Sequence, residues 1–212
     1  MIEDPPSTEF LYEVHPQRRG PAMSYQPPRP VRGLLLTPED KEAPARVRRL
    51  RRLGLADRPD PALDAFAGHL ARLTGASYAM VNFIGEHHQF FAGLSAPAAP
   101  VVREDGSRAE MGRVLPRDHG FCPHVVVRHK ALVLDDVRDF PRFAGNPVVD
   151  EFGIRSYLGA PLIDASGMAL GTVCAADTSP RAWGRTGLDT IKALAADLVV
   201  RLERSAPDGL PL

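Results

Sequence analysis

SYLGAPLIDASGMALGTVCAAD, residues 156–177, is a pair of apolar runs on either side of the turn sequence Asp164-Ala-Ser-Gly167. Each run is short, bounded by turn residues and without a polar face, which predicts a β-hairpin covered on both sides. Because residues two apart in a strand share a face, Tyr157, Gly159 and Pro161 belong together on the first strand, and Thr172, Cys174 and Ala176 on the second. Upstream, Tyr78-Ala-Met-Val-Asn-Phe-Ile84 is a second run of this kind, and Gly85-Glu86 turns it into a strand around His88 to Leu94. Between the hairpins, residues 95–118 carry Pro97, Pro100, Gly106, Gly112 and Pro116 and read as a long loop. A short helix from about Phe121 to Arg128, a strand at Ala131 to Asp135 and short helical turns from Phe140 to Phe152 follow.

Helices flank this region. From about Thr186 to Arg204, Leu188, Ile191, Leu194, Ala195, Leu198 and Leu202 recur on one side of an amphipathic helix. Asp60 to Leu73 presents Leu63, Phe66, Leu70 and Leu73 and closes at Gly75. Thr37-Pro-Glu-Asp reads as an N-cap with proline at the first helical position. The helix it opens has the stripe Val47, Leu50 and Leu53, with Arg46, Arg48, Arg49, Arg51 and Arg52 on the other faces until Gly54. No aromatic residue is interleaved with those arginines, so they read as a solvated face. The order of elements predicts an α+β fold with an antiparallel sheet between helical layers.

Composition narrows the function classes. The chain has 212 residues, with 26 basic and 26 acidic side chains in balance, which leaves no global electrostatic case for DNA, RNA or an anionic membrane. Two cysteines are too few for a disulfide scaffold or a four-cysteine zinc site, so a reducing cytoplasm is the expected location. The N-terminus MIEDPPSTEF lacks a basic region followed by an apolar one, and no apolar run nears the roughly 18 residues of a membrane span. Eleven of the 21 prolines fall in residues 1–61. Those before Thr37 sit among polar residues without periodicity, so residues 1–37 are expected to be a disordered tail, 38–205 the folded domain and 206–212 a short C-terminal tail. Pro27-Pro28-Arg29-Pro30 is formally a PxxP pattern but is read as part of the tail.

Seven pieces in order bear a resemblance: Leu53-Gly-Leu, Gln89-Phe-Phe, His119-Gly-Phe-Cys-Pro-His-Val, Leu132-Val-Leu-Asp-Asp, Pro141-Arg-Phe-Ala-Gly-Asn-Pro, Ile154-Arg-Ser-Tyr-Leu-Gly-Ala-Pro-Leu and Leu170-Gly-Thr-Val-Cys-Ala-Ala-Asp. From Leu50 to Ile191 the chain resembles the GAF domain family of small-molecule sensors. The resemblance implies a six-stranded antiparallel sheet with the terminal helices on one face and a ligand pocket under short helices and loops on the other. It also marks departures. Asn146 is followed by Pro147 rather than lysine, against cyclic nucleotide binding, and Pro123 separates Cys122 from His124, against a bilin attachment. Cys122 and Cys174 do not reproduce the reactive cysteines of free methionine sulfoxide reductases, so catalysis is disfavoured.

Within the implied pocket the candidate ligand-binding residues are Asn82, Phe91, Phe121, Cys122, His124, Tyr157, Gly159, Thr172 and Cys174. Asn82 is the polar member of an apolar strand and needs a partner, supplied by ligand or protein. Gly159 serves either a ligand or close sheet packing. Cys-Pro beside histidine resembles haem-regulatory motifs. At 100° per residue, however, Cys122 and His124 point about 200° apart on a helix, so no metal is expected and haem is disfavoured. Cys122 in the first turn of a helix is a candidate for a lowered pKa, against the more usual inert buried thiol. Should Cys122 and Cys174 share a pocket, they form a candidate redox pair.

The leading expectation is a non-catalytic sensory domain that binds a small cytoplasmic molecule. It would signal through its terminal helices to a protein partner or to the other subunit of a homodimer, with no nucleic acid or membrane involved. Only eight residues follow Arg204, so its output is expected to be non-covalent or to lie in another chain. Two alternatives stand beside it: a ligand-free dimerisation scaffold, and a thiol-redox or haem-linked sensor centred on Cys122.

Overall fold

The two apolar hairpins meet side by side in the middle of one sheet. A computed structural model describes residues 37–55, 57–102, 106 and 108–205. The proline-rich stretch 1–36 with its PxxP pattern, and residues 206–212, lie outside the described residues. The strands are β1 (Tyr78–Ile84), β2 (His88–Ser95), β3 (Val101–Val102), β4 (Arg108–Ala109), β5 (Val114–Pro116), β6 (Leu132–Leu134), β7 (Ser156–Ile163) and β8 (Ala169–Asp177). Six of them form an antiparallel sheet in the order β5-β2-β1-β8-β7-β6, and β3 with β4 makes a separate small ribbon. Every residue of β1 and β8 is buried, as expected of central strands covered on both faces.

Alternation along the strands divides the core in two. Val81, Phe83, Leu158, Leu162 and Val173 face a layer made by α1 (Ala43–Arg52), α2 (Pro61–Thr74) and α6 (Gly184–Arg204), where Leu50, Leu63, Leu70, Ile191 and Leu198 meet them. Tyr78, Met80, Ile84, Tyr157 and Cys174 face the short helices α3 (Cys122–Arg128), α4 (Pro141–Ala144) and α5 (Pro147–Phe152). The fold is therefore α+β with a six-stranded antiparallel sheet, as the sequence led us to expect. Local chemistry fixes the ends. The Asp60 carboxylate caps α2 by accepting from Ala62 N at 2.8 Å, and Gly75 ends that helix at φ 65°. In the β7–β8 turn Asp164 Oδ1 accepts from Ser166 N and Met168 N at 2.9 and 3.0 Å, with Gly167 at φ 85°.

Three sequence expectations are corrected. Helix α1 begins at Ala43, with Pro44 in its first turn, and not at Thr37. The reason is that Asp40, the last residue of the Thr37-Pro-Glu-Asp motif, is bound instead by Arg46, with Nη1 to Oδ2 and Nη2 to Oδ1 both at 2.7 Å. Arg46 is not on a solvated face: it is 0% exposed, and its Nε donates to Ala169 O at 2.7 Å, where β8 begins. A guanidinium has five donors, and here three partners use them in place of water: the Asp40 carboxylate, the Ala169 carbonyl where β8 begins and, at 3.5 Å, the Ile84 carbonyl where β1 ends. The third correction concerns residues 95–118, which hold β3, β4 and the edge strand β5. Val114 to Pro116 pairs with Phe90 to His88, a strand too short and too close to proline to show a period.

Candidate functional site

On the face opposite the terminal helices, adjacent strands carry the predicted residues in rows. Asn82 of β1 stands opposite Thr172 of β8, and Cys174 stands between Met80 and Gly159. A β-bulge between Val81 and Asn82 sets Asn82 against Phe91 of β2. Above them α3 starts at Cys122, two residues after Gly120, which takes φ 76°. Asn146 clasps Gly120 from both sides, accepting from its N–H at 2.7 Å and donating to its carbonyl at 2.9 Å. This positions Cys122 over the sheet.

The two sulfurs meet. Cys122 Sγ lies 3.6 Å from Cys174 Sγ and 3.4 Å from the Tyr157 hydroxyl, and both cysteines are free and buried. Gly159 is what lets Tyr157 reach this point: a Cβ at Gly159 would collide with the Tyr157 hydroxyl and ring, because the side chain leans along its own strand. Phe121 packs against the same ring, with centroids 5.2 Å apart. Hydrogen bonding from Cys174 holds the Cys122 thiol below its ordinary value against the opposing effect of burial, and the Tyr157 hydroxyl adds to the lowering. Cys174 is pushed up by the same hydrogen bond and by burial. Two sulfurs in contact share one proton in this way, and Cys122 is the one that gives its proton up first.

Asn82 is half satisfied. Its Nδ2 donates to Gln89 Oε1 at 2.9 Å, while its Oδ1 is buried without a hydrogen-bond partner among the described residues, as is Thr172 Oγ1. Gln89 continues the chain, donating to Pro116 O at 2.9 Å and His119 O at 2.5 Å. Gln89 was missed as a site residue, although a glutamine inside an apolar strand is the same signal that singled out Asn82.

His124 turns away from the thiols, as the helical angle required. Its ring meets Phe143 edge-on at a centroid distance of 5.0 Å, and its Nδ1 is buried without a partner among the described residues. Burial, then Arg142 and Arg128, push it down to about 4. The unfolded chain therefore binds this proton at a higher pH than the folded one, so stability should fall as the pH drops from about 6.5 to about 4. The urea midpoint of wild type should fall relative to that of His124→Phe as the pH drops across that range, the variant lacking this part of the loss. Parallel curves would overturn this. No group of three or more His, Cys, Asp or Glu side chains among the described residues could hold a metal ion, and no helix among them is long and apolar enough to cross a membrane.

The GAF domain family model matches residues 58–202. A 78-residue segment is 40% identical to part of a cyclic di-GMP phosphodiesterase of Pseudomonas aeruginosa, covering 35% of this chain and 13% of that protein. The chain thus spans only a small fraction of that relative. Among solved structures it is similar to a free methionine-R-sulfoxide reductase from Neisseria meningitidis in complex with its substrate, with a TM-score of 0.54, 16% identity, and coverage of 82% of this chain and 96% of that one. It is also similar to residues 122 to 287 of a methyl-accepting chemotaxis protein, with a TM-score of 0.52, 22% identity, and coverage of 74% and 98%. At such identities the likeness is one of fold.

Proposed function

The chain belongs to the GAF domain family, and from that premise we propose that it is a non-catalytic sensory domain. In this reading a small cytoplasmic molecule docks on the inner face of the sheet, and its presence is relayed through the terminal helices to a partner protein or a second copy of the chain. The observation that carries the reading is the pair of buried acceptors Asn82 Oδ1 and Thr172 Oγ1, opposite one another on β1 and β8 with hydrogen-bonding capacity unused. Leaving such a group unpaired costs about 1–3 kcal/mol, which a ligand donor reaching both would recover. A ligand with at least one N–H or O–H and an otherwise compact, weakly polar body suits this apolar surround.

Among the described residues the hydrogen-bonding neighbours of Cys122 are a thiol and a phenol, while His124 packs against Phe143, which supports a non-catalytic role. The fold shared with part of a chemotaxis protein supports a place in signalling. The test is a thermal-shift screen of polar metabolites against wild type and Thr172→Val. A ligand at 100 times its Kd adds about 2.7 kcal/mol, a rise of several degrees. The same ligand should bind the variant roughly fivefold more weakly, for a loss of about 1 kcal/mol. If no compound raises the wild-type Tm, or if the variant responds equally, the reading is wrong.

A further inference from the structure

The sulfur pair supports an activity that needs no ligand. Buried free cysteines usually sit singly among hydrocarbon. Here two from distant points in the sequence, 52 residues apart, touch at 3.6 Å in a setting that also holds a tyrosine hydroxyl, a threonine hydroxyl and an asparagine amide. Closing to the disulfide length of about 2.05 Å needs a movement of roughly 1.5 Å. The movable side is identifiable. Cys174 is locked in β8 between β1 and β7, whereas Cys122 is the first residue of a seven-residue helix, two residues past Gly120.

We propose that Cys122 and Cys174 are an oxidisable dithiol that hydroperoxides convert, reversibly, into a disulfide joining α3 to β8. Cys122, carried as thiolate, attacks one peroxide oxygen. The O–O bond breaks, the sulfur becomes a sulfenic acid, and the second oxygen leaves as hydroxide, or as alkoxide from an organic hydroperoxide. The Cys174 sulfur then displaces the sulfenic hydroxyl, forming the S–S bond, while the Cys174 proton joins the departing hydroxide to give water. The two sulfurs lose two electrons in all, the peroxide gains them, and a reduced dithiol returns the pair to its starting state by thiol–disulfide exchange. Burial keeps the pair from larger oxidants and makes reaction wait on local opening at the α3 start, where the Asn146 clasp on Gly120 is the main restraint described above.

In the disulfide form Cys122 can no longer hold the Tyr157 hydroxyl as a thiolate acceptor, so oxidation would release Tyr157 and Phe121 together with the α3 start. The covalent input therefore acts on the same face of the sheet that carries Asn82 and Thr172, without depending on whether a ligand binds there.

The experiment uses the full chain, in which these are the only cysteines, with hydrogen peroxide as the probe and no added metabolite. After exposure, denaturation under non-reducing conditions should show both thiols lost and a monomeric mass lighter by two hydrogen atoms. A 122–174 cross-linked peptide should be present, and dithiothreitol should reverse all three changes. Cys174→Ser should stop at a Cys122 sulfenic acid that dimedone captures, and Cys122→Ser should react roughly tenfold more slowly than Cys174→Ser. Two persisting thiols after an exposure that oxidises the chain in urea would overturn the proposal. So would disulfides that form only between chains. Should a serine variant fail to fold, the wild-type thiol count and peptide map decide the matter alone. Because no ligand takes part, failure here leaves the ligand reading standing, and failure of the thermal-shift screen leaves this one.

Discussion

Replacing Arg46 with alanine should destabilise the domain by about 3–5 kcal/mol, the cost of leaving a buried charge without its partner. At this chain length the melting temperature should fall by roughly 10 °C. The deleted guanidinium takes with it both bonds to Asp40 and those to the Ala169 and Ile84 carbonyls, and Asp40, its side chain 3% exposed, keeps Arg117 and the N–H of Glu42, each at 3.2 Å. Arg46→Lys should recover less than half of the loss, since an ammonium cannot bind both carboxylate oxygens and the strand carbonyl from one plane. Urea titration of the three proteins checks this, and an alanine variant within about 0.5 kcal/mol of wild type would contradict it. The family model begins at residue 58, so the prediction also says that a segment upstream of the matched region is part of the folded unit, fastened to the ends of β1 and β8.

Gly171→Ala should cost about 3 kcal/mol, near the upper end for forcing extra volume into a packed site. A Cβ at Gly171 would collide with the carbonyl oxygen of Asn82 and lie 3.0 Å from Phe83 Cα, and these are backbone atoms of the neighbouring central strand. Two paired strands must separate to admit it. Because the collision falls at Asn82, the hydrogen bond to Gln89 should loosen too, so the peroxide and thermal-shift assays should change along with stability. Gly112→Ala is the control: a Cβ there meets nothing within 4 Å, and the variant should melt with wild type.

The sequence made most of the fold legible, because period and turn chemistry act locally. Apolar alternation gave the hairpins of Tyr78–Leu94 and Ser156–Asp177 and put Asn82, Thr172, Cys174, Tyr157 and Gly159 on one face. What it could not give was proximity set by where α3 lands. Cys122 and Cys174 read as a redox pair only on the condition that they share a pocket, and it is the Asn146 clasp on Gly120 that brings one over the other. Arg46 failed for a related reason. Its partners include the main-chain carbonyl of Ala169, which carries no residue signature, so five arginines in seven residues looked alike although one is buried. Gln89 carries the same signal as Asn82, a polar side chain inside an apolar strand, and it is 1% exposed.

The sheet's two outer strands are each three residues long, and β5 finishes in Pro116, which has no N–H to offer. A neighbouring molecule seeking to add a strand would find a landing site scarcely one pleat wide on either side. Joining through the described sheet edges is thereby discouraged.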